Sequence, residues 1–301
     1  MSRRSRRPPP QRKRWPLVVG GVGALLVLGA WWMLARPESP LAGGTMAPSG
    51  TAVLAAYRPP DLHALVVAPG DERTVIFGHH QGMLVSRDGG ATWARIGGAN
   101  GDAMGIALPP GSKTAYAAGH DVFFRSDDGG ATWRSARPAL PGTDIHGFAA
   151  SATTSGTFYA YVVGKGLFAS ADAGATWKPA GTALGSTMSM TVAKAGSGDA
   201  LFATTMEGVG RSRDGGKTWE RVSELGGAYV AAAGETVYAA AGSVIFVSQD
   251  GGTTWERRVF PRGGAALVAC APGNAKLAYV VTERLEVWRS ADGGATWERV
   301  G

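Results

Sequence analysis

Short apolar runs separated by polar breaks fill the chain from residue 61 onward. The first group contains "HALVVAP", "TVIFGHH" and "GMLVS", and the breaks between these runs are rich in Gly and Asp. Runs of this kind, with Val, Ile, Phe and Ala between turn-forming residues, are typical of β-strands. No segment beyond residue 60 has the length and 3.6-residue period of an amphipathic helix. The pattern therefore predicts an all-β protein.

An eight-residue phrase recurs near the end of each group of apolar runs. It reads "SRDGGATW" at residues 86–93, and near-copies begin at Ser126, Ser170, Ser212, Ser248 and Ser290. The aspartate of the phrase recurs at intervals of 40, 44, 42, 36 and 42 residues. A period near 40 indicates a repeat architecture. Four strands in each of six repeats predict a six-bladed β-propeller over residues 61–301.

The phrase Ser-x-Asp-x-Gly-x-Thr-Trp resembles the Asp-box, or BNR repeat, of the sialidase-like propeller superfamily. The resemblance implies that each copy forms the turn between the third and fourth strands of a blade, on the face opposite the usual binding face. Such a turn needs an aspartate that accepts backbone hydrogen bonds, glycines at positive φ, and a tryptophan that packs between blades. Six equivalent copies cannot share one active site, so we interpret them as structural. The structural positions are Ser86, Asp88, Gly90, Trp93, Asp128, Trp133, Asp172, Trp177, Asp214, Trp219, Asp250, Trp255, Asp292 and Trp297.

The resemblance leaves the activity open. Propellers with this repeat include sialidases and other glycosidases, sortilin-type receptors and photosystem II assembly factors. A sialidase uses three arginines, a Tyr–Glu pair and an acidic Asp. Arg58 and Pro60 match the Arg-x-Pro fragment of that family, and Arg262 and Arg284 fall in loops that could complete a triad. No Tyr–Glu pairing supports this hypothesis, so we expect a non-enzymatic protein and keep the glycoside hydrolase as an alternative.

The N-terminal residues predict a membrane anchor. Residues 1–14 form a basic tail, and residues 15–35 contain no charge and match the length of a membrane-spanning helix. The basic tail should stay in the cytoplasm, which places the propeller outside a bacterial cytoplasmic membrane. A cleaved signal peptide is the alternative. Residues 36–60 are predicted to be a linker rich in Pro, Gly and Ser, whose "TAVLAAY" could add one strand.

The basic character of the protein comes from its tail. The net charge is +7, but seven of the 30 basic residues lie within residues 1–14, which leaves 23 basic against 23 acidic residues elsewhere. Nucleic-acid binding needs a basic face, so we expect no nucleic-acid partner. Cys270 is the only cysteine, which rules out an intrachain disulfide. Its apolar context predicts a buried, inert thiol.

Histidines and methionines depart from the repeat. Beyond residue 60 they all lie in the first four repeats, and aligning the repeats places most of them in two loop sets. One set is the turn between the second and third strands, and the other is the start of the innermost strand. Both belong to the face opposite the Asp boxes and converge on the channel mouth. The candidate metal ligands are His63, His79, His80, Met104, His120, His146, Met188 and Met206.

Imidazole and thioether groups together suit a soft or borderline metal ion, and they make copper the candidate cofactor. Asp61, Asp102 and Asp144 each stand two residues before a candidate ligand, so we expect these carboxylates to orient the ligands from behind. "DIHGF" and "GHHQGML" also resemble His-rich segments of small bacterial Asp-box proteins. The sequence thus predicts a binding or assembly module with a protein partner or a metal ion on this face. A photosystem-assembly-type interaction platform is a further alternative.

Overall fold

The computed structural model describes residues 50–182 and 184–301, and it shows six antiparallel sheets of four strands each. Each sheet is built from one contiguous segment, in the strand order of the sequence. The fold is therefore the predicted six-bladed propeller. The strands of blades 1 to 3 are β1 Ala64–Val67, β2 Val75–His79, β3 Gly82–Ser86, β4 Ala94–Arg95; β5 Gly105–Ala107, β6 Ala115–Gly119, β7 Val122–Ser126, β8 Arg134–Ser135; β9 Ile145–Ala150, β10 Phe158–Val162, β11 Gly166–Ser170 and β12 Lys178–Gly181. The strands of blades 4 to 6 are β13 Ser189–Ala195, β14 Gly198–Thr205, β15 Gly208–Ser212, β16 Glu220–Ser223; β17 Tyr229–Ala233, β18 Thr236–Ala241, β19 Val244–Ser248, β20 Glu256–Val259; β21 Ala265–Ala271, β22 Asn274–Thr282, β23 Val287–Ser290 and β24 Glu298–Arg299.

The first strand of every blade faces the centre of the ring. Each of these strands contacts the first strands of the two neighbouring blades, and β21 of blade 6 contacts β1 of blade 1, which closes the ring. The first strands line a central channel of about 390 Å³. The second strands are almost entirely buried, as in the pattern of β2 and β6. Their near-continuous apolar sequence follows from contact with a blade on either side.

The hydrophobic core consists of six clusters, one at each junction between adjacent blades. Cys270 lies in the cluster between blades 5 and 6, and burial raises the pKa of its thiol to about 12, as expected for an inert cysteine. Met83 and Met190 are also core residues, with exposed fractions of 2% and 8%. Their side chains occupy positions that are apolar in the other blades.

The Asp-box turns repeat the hydrogen bonds among their Ser, Asp, Gly and Thr positions in all six copies. The hydrogen bond from the Trp indole is formed in five copies, and Trp255 Nε1 has no partner in the described structure. In the first, Ser86 Oγ donates to Asp88 Oδ1 at 2.7 Å, the backbone N–H of Gly90 donates to Ser86 Oγ, and the N–H of Thr92 donates to Asp88 Oδ1. Trp93 Nε1 donates to the carbonyl of Gly90, and its ring is fully buried. Gly89 and Gly90 have φ values of 78° and 94°. The side chains of the phrase thus form hydrogen bonds within the turn itself.

Residues 50–60 pack against the propeller. The predicted extra strand is a short 3-10 helix, Leu54–Tyr57, preceded by a single β-bridge between Ala52 and Trp93. Leu54 and Tyr57 are three residues apart, so in a 3-10 helix both point to the same side. That side is the core cluster between blades 6 and 1, where their exposed fractions are 0% and 6%. An alternating strand would have exposed one of the two.

The predicted tail 1–14, the predicted membrane helix 15–35 and linker residues 36–49 lie outside the described residues. Within the described part of the chain, no helix reaches the length and apolarity that a membrane span requires.

Candidate functional site

The predicted histidines gather at the end of the blades opposite the Asp boxes. Because neighbouring strands are antiparallel, the start of the first strand and the turn after the second strand lie at one end of a blade. The Asp-box turn after the third strand lies at the other end. His63 directly precedes β1, His80 follows β2, His120 follows β6, and His146 lies at the start of β9.

Backbone contacts between blades bring these loops together. The N–H of Ala103 in blade 2 donates to the carbonyl of His79 in blade 1 at 3.3 Å. His120 of blade 2 forms a β-bridge with Asp144 of blade 3. Each turn after a second strand therefore reaches the start of the next blade, so residues far apart in sequence become neighbours.

The first group of side chains, here called the blade 1 triad, consists of Asp61, His63 and His80. His63 Nε2 lies 3.3 Å from Asp61 Oδ1 and 3.2 Å from His80 Nδ1. His80 Nδ1 lies 2.9 Å from Asp61 Oδ2. The backbone N–H of His80 also donates to Asp61 Oδ1 at 2.8 Å, which fixes the carboxylate. Two imidazoles and one carboxylate thus converge on one point.

The second group, the blade 2–3 triad, consists of His120, Asp144 and His146. Here His120 Nε2 lies 2.9 Å from His146 Nε2 and 3.3 Å from Asp144 Oδ1, and His146 Nε2 lies 3.1 Å from the same oxygen. Asp144 Oδ1 has no hydrogen-bond partner among the described residues. Three atoms with lone pairs at such distances repel each other unless a proton or a cation lies between them.

Asp102 connects the two triads. Its side chain is only 5% exposed, although it is a carboxylate. Oδ2 accepts a 2.5 Å hydrogen bond from His120 Nδ1, while Oδ1 lies 3.3 Å from His63 Nε2 and has no hydrogen-bond partner in the described structure. An ionised carboxylate of this burial needs a positive partner. The two triads and Asp102 are called the His/Asp rim below.

The surroundings of His63 favour its neutral form. Burial lowers the pKa of His63, partly offset by the carboxylates of Asp61 and Asp102 and reinforced by His80 and His120. His63 is therefore neutral at pH 7. A neutral imidazole beside carboxylates is the form that binds a metal ion.

The other predicted ligands are more dispersed. His79 is 2% exposed, it stacks on Phe77, and its Nδ1 accepts a hydrogen bond from the N–H of Gln81. Burial lowers the pKa of His79 to about 4, so it is neutral. Met104 lines the channel with His63 and His146. Met188 directly precedes β13, and Met206 is 69% exposed beside Gly227.

Two features of the site were not foreseen from the sequence. The first is the distance of the carboxylates, because Asp61 and Asp144 lie as close to the imidazole nitrogens as these lie to each other. The second is Tyr229 of blade 5, whose hydroxyl donates to the carbonyl of Leu62 in blade 1 at 3.0 Å. Leu62 stands between two triad members, so Tyr229 helps to fix the triad.

The arginines proposed for a sialidase triad are engaged differently. Arg262 Nε and Nη2 both lie 3.1 Å from the carboxylate oxygens of Glu286, a side chain that is 10% exposed. This bidentate pair holds a loop of blade 6 against the turn after β22. Arg58 ends the 3-10 helix in a left-handed conformation with φ of 47°. The glycoside-hydrolase alternative stays a prediction.

Comparisons with known proteins support the repeat and the fold. The BNR/Asp-box repeat family matches residues 246–257, which contain the fifth Asp-box turn of the six-bladed propeller. No curated protein matches the sequence. Similar solved structures include YCF48 bound to D1 peptide, with 18% identity, a TM-score of 0.50, and coverage of 79% of this chain and 81% of that chain.

Other similar structures belong to larger proteins. The GH74 xyloglucanase from Xanthomonas campestris is 17% identical with a TM-score of 0.55, and the match covers 84% of this chain and 47% of that chain. PorZ, a surface component of the type-IX secretion system of Porphyromonas gingivalis, is 13% identical with a TM-score of 0.53, and covers 80% and 32%. At these identities the similarity shows the fold alone.

Proposed function

We propose that this propeller is a non-enzymatic binding module that takes up a divalent transition-metal ion at its channel mouth. The observation that carries the proposal is the convergence of four imidazole and three carboxylate side chains in the His/Asp rim. Their nitrogen and oxygen atoms fall at the mutual spacing of metal ligands. A buried carboxylate oxygen without a hydrogen-bond partner in the described structure points into the same cluster.

The donor set narrows the choice of metal ion. Imidazole and carboxylate suit Zn²⁺, Ni²⁺, Fe²⁺ and Cu²⁺, and among divalent first-row ions Cu²⁺ binds most tightly to a given site. Copper(II) therefore remains the first candidate. Copper(I) would favour thioethers, and Met104 is the methionine that shares the channel lining with His63 and His146.

On this proposal the module works outside the cell. Residues 15–35 would anchor the chain in a bacterial cytoplasmic membrane, with the basic tail inside and the propeller on the periplasmic or extracellular side. Support comes from the uncharged segment and the flanking basic residues. Reporter fusions at residue 14 and at residue 301 test the topology. A cytoplasmic signal at both positions contradicts it.

Binding is tested by titrating the full chain, purified in detergent, with Cu²⁺ and with Cu⁺ against a competing chelator. We expect stoichiometric Cu²⁺ binding that the double variant His63→Gln/His146→Gln loses. The control Arg284→Gln changes the equivalent turn of blade 6 and should bind like the unsubstituted chain. Binding that survives in the double variant would show that neither His63 nor His146 is a required ligand.

A protein partner on the same face is the second candidate. The channel of about 390 Å³ opens beside the rim, and a similar propeller, YCF48, has been solved with a bound D1 peptide. A photo-crosslinking residue at position 206 tests it, with the same residue at position 213 in an Asp-box turn as control. A partner crosslinked from position 206 alone supports the platform. Equal crosslinking from both positions contradicts it.

A further inference from the structure

The geometry points to two metal ions in the His/Asp rim, one in the blade 1 triad and one in the blade 2–3 triad, coupled through Asp102. This inference rests on the proposed metal binding. It adds the number of ions and the contact between the two ion sites through Asp102. Each triad offers two histidines and one carboxylate, and no residue belongs to both triads.

The spacing within each triad fits a metal ion. Bonds of about 2.0–2.1 Å from a central ion place adjacent ligand atoms about 2.9–3.4 Å apart in tetrahedral or octahedral geometry. In the blade 1 triad the two imidazole nitrogens lie 3.2 Å apart, and they lie 2.9 and 3.3 Å from different oxygens of Asp61, Oδ2 for His80 and Oδ1 for His63. In the blade 2–3 triad the three distances are 2.9, 3.1 and 3.3 Å. Both sets fall inside the expected range.

Two histidines and one carboxylate on one side of an ion leave open coordination positions. Both triads lie at the exposed end of the channel, where His80 and His120 have exposed side-chain fractions of 53% and 42%. Water or an anionic group of a partner can therefore complete each coordination sphere. The two ions would present a positively charged surface to a carboxylate or phosphate ligand.

Asp102 plays a different part towards each triad. Through Oδ2 it binds His120 Nδ1, which leaves Nε2 of that ring to face the blade 2–3 triad. A carboxylate behind a ligand histidine fixes its tautomer and raises its basicity. Through Oδ1 it lies 3.3 Å from His63 Nε2, where it can become a fourth ligand of the ion in the blade 1 triad. One side chain thereby touches both sites.

The alternative of a single ion has a defined location. His80, Asp102 and His120 form a middle group whose ligand atoms also lie within 4.8 Å of one another. An ion there would leave Asp61, His63, Asp144 and His146 without a ligand role. Variants of His63 and His146 therefore separate the two arrangements.

The test is the ion content of the full chain in detergent, measured by mass spectrometry after equilibration with Zn²⁺ and gel filtration. Visible absorption during Co²⁺ titration reports the coordination of each ion. We expect two ions per unsubstituted chain, one in His63→Gln, one in His146→Gln and none in the double variant. Arg284→Gln should keep two. Circular dichroism of each variant confirms that it is folded.

Asp102→Asn tests the coupling. We expect both apparent affinities to fall by about 10–100-fold, because one site loses a charged ligand and the other loses the carboxylate behind His120. The Co²⁺ spectra of both sites should change in this variant. Changes confined to one site would overturn the coupling while leaving two ions in place.

The outcomes separate this inference from the proposed function. A single ion that survives in both His63→Gln and His146→Gln places the metal in the middle group and overturns the two-site arrangement, while metal binding stands. Absence of any bound ion in the unsubstituted chain overturns both.

Discussion

The two ends of this propeller differ in how closely the six blades repeat the same residues. At one end, six Asp-box turns repeat the same side-chain hydrogen bonds, from Ser86–Asp88 in blade 1 to Ser290–Asp292 in blade 6. At the other end, equivalent loop positions carry His80, His120, Gly164, Met206, Gly242 and Arg284. Repetition marks what every blade needs in order to fold. Positions that depart from the repeat are not needed for folding of the blade, so their side chains can serve binding.

The same contrast appears within the rim face. Blades 2 and 3 are joined by a β-bridge between His120 and Asp144, and blades 5 and 6 by one between Gly242 and Ala265. The backbone junction is shared, but only the first carries imidazole and carboxylate groups. The chemistry of the rim is therefore set by a few side chains on a scaffold that is the same on both sides of the ring.

The largest expected effect is a loss of stability at the Asp-box end of the propeller. Trp93→Ala removes a fully buried ring that packs edge-on against Phe77. We expect the free energy of unfolding to fall by about 3–5 kcal/mol, as for other large-to-small changes in a core. Denaturant unfolding of the full chain in detergent measures it. Val259→Ala, at a side chain that is 64% exposed, is the control and should stay within about 0.5 kcal/mol.

The next effect concerns the rim end. A saturating divalent ion should stabilise the folded chain by about 2.7 kcal/mol per site at a free concentration 100 times Kd, since it binds the folded form. Thermal unfolding with and without Zn²⁺ measures the gain. The variant His63→Gln/His146→Gln should show no gain while melting normally without ion. A retained gain contradicts the assignment of His63 and His146 as ligands.

A smaller effect tests one irregular copy of the repeat. In the third Asp box Ala173 stands where the other copies have Gly, and its φ is 55°. Ala173→Gly should raise the free energy of unfolding by about 0.5–1 kcal/mol, because the left-handed conformation is costly for a residue with Cβ. Ala175→Gly, in the same turn at ordinary φ, should lower it by a similar amount. Equal effects of the two changes would falsify this explanation.

The smallest effect is a pH dependence of the repeated end. Hydrogen bonds from the side chain and N–H of Thr132, and from Ser126, lower the pKa of Asp128 from 3.8 to about 2. A lowered folded-state pKa adds stability above pH 3.8 that is lost as the pH falls towards 2. Asp128→Asn should therefore flatten the acid side of the stability profile. Unfolding at pH 2 to 5 measures this, and identical slopes in both proteins contradict it.

Much of the fold was accessible from the sequence. The Asp-box phrase and its period predicted six blades, because each blade uses local antiparallel pairing and a turn with a strict residue pattern. The segment "TAVLAAY" was harder. Its apolar residues fit a strand as well as a helix, and only the junction of blades 6 and 1 selects the 3-10 helix in which Leu54 and Tyr57 share a face.

The sequence predicted where the histidines of the site lie, but it did not predict how closely the carboxylates approach them. Aligning the repeats placed His63, His80, His120 and His146 at one end of the ring, where the structure brings them together. The burial of Asp102 was not visible from the sequence, because its partners His63 and His120 come from two different blades. The contact of Tyr229 with Leu62 crosses 167 residues and leaves no local signal.

Each blade uses one uninterrupted stretch of chain, and the ring closes by packing of blade 6 against blade 1, with Leu54 and Tyr57 in the same cluster and without exchange of a strand. No sheet therefore depends on where along the ring the chain begins. A circular permutant that opens between β12 and β13 and joins residue 301 to residue 50 through a flexible linker would keep every sheet intact. The position of the chain termini around the ring is therefore not dictated by the pairing of strands. Because each blade is one contiguous segment, duplication or deletion of a segment of that length would leave the strand pairing of the other blades unchanged.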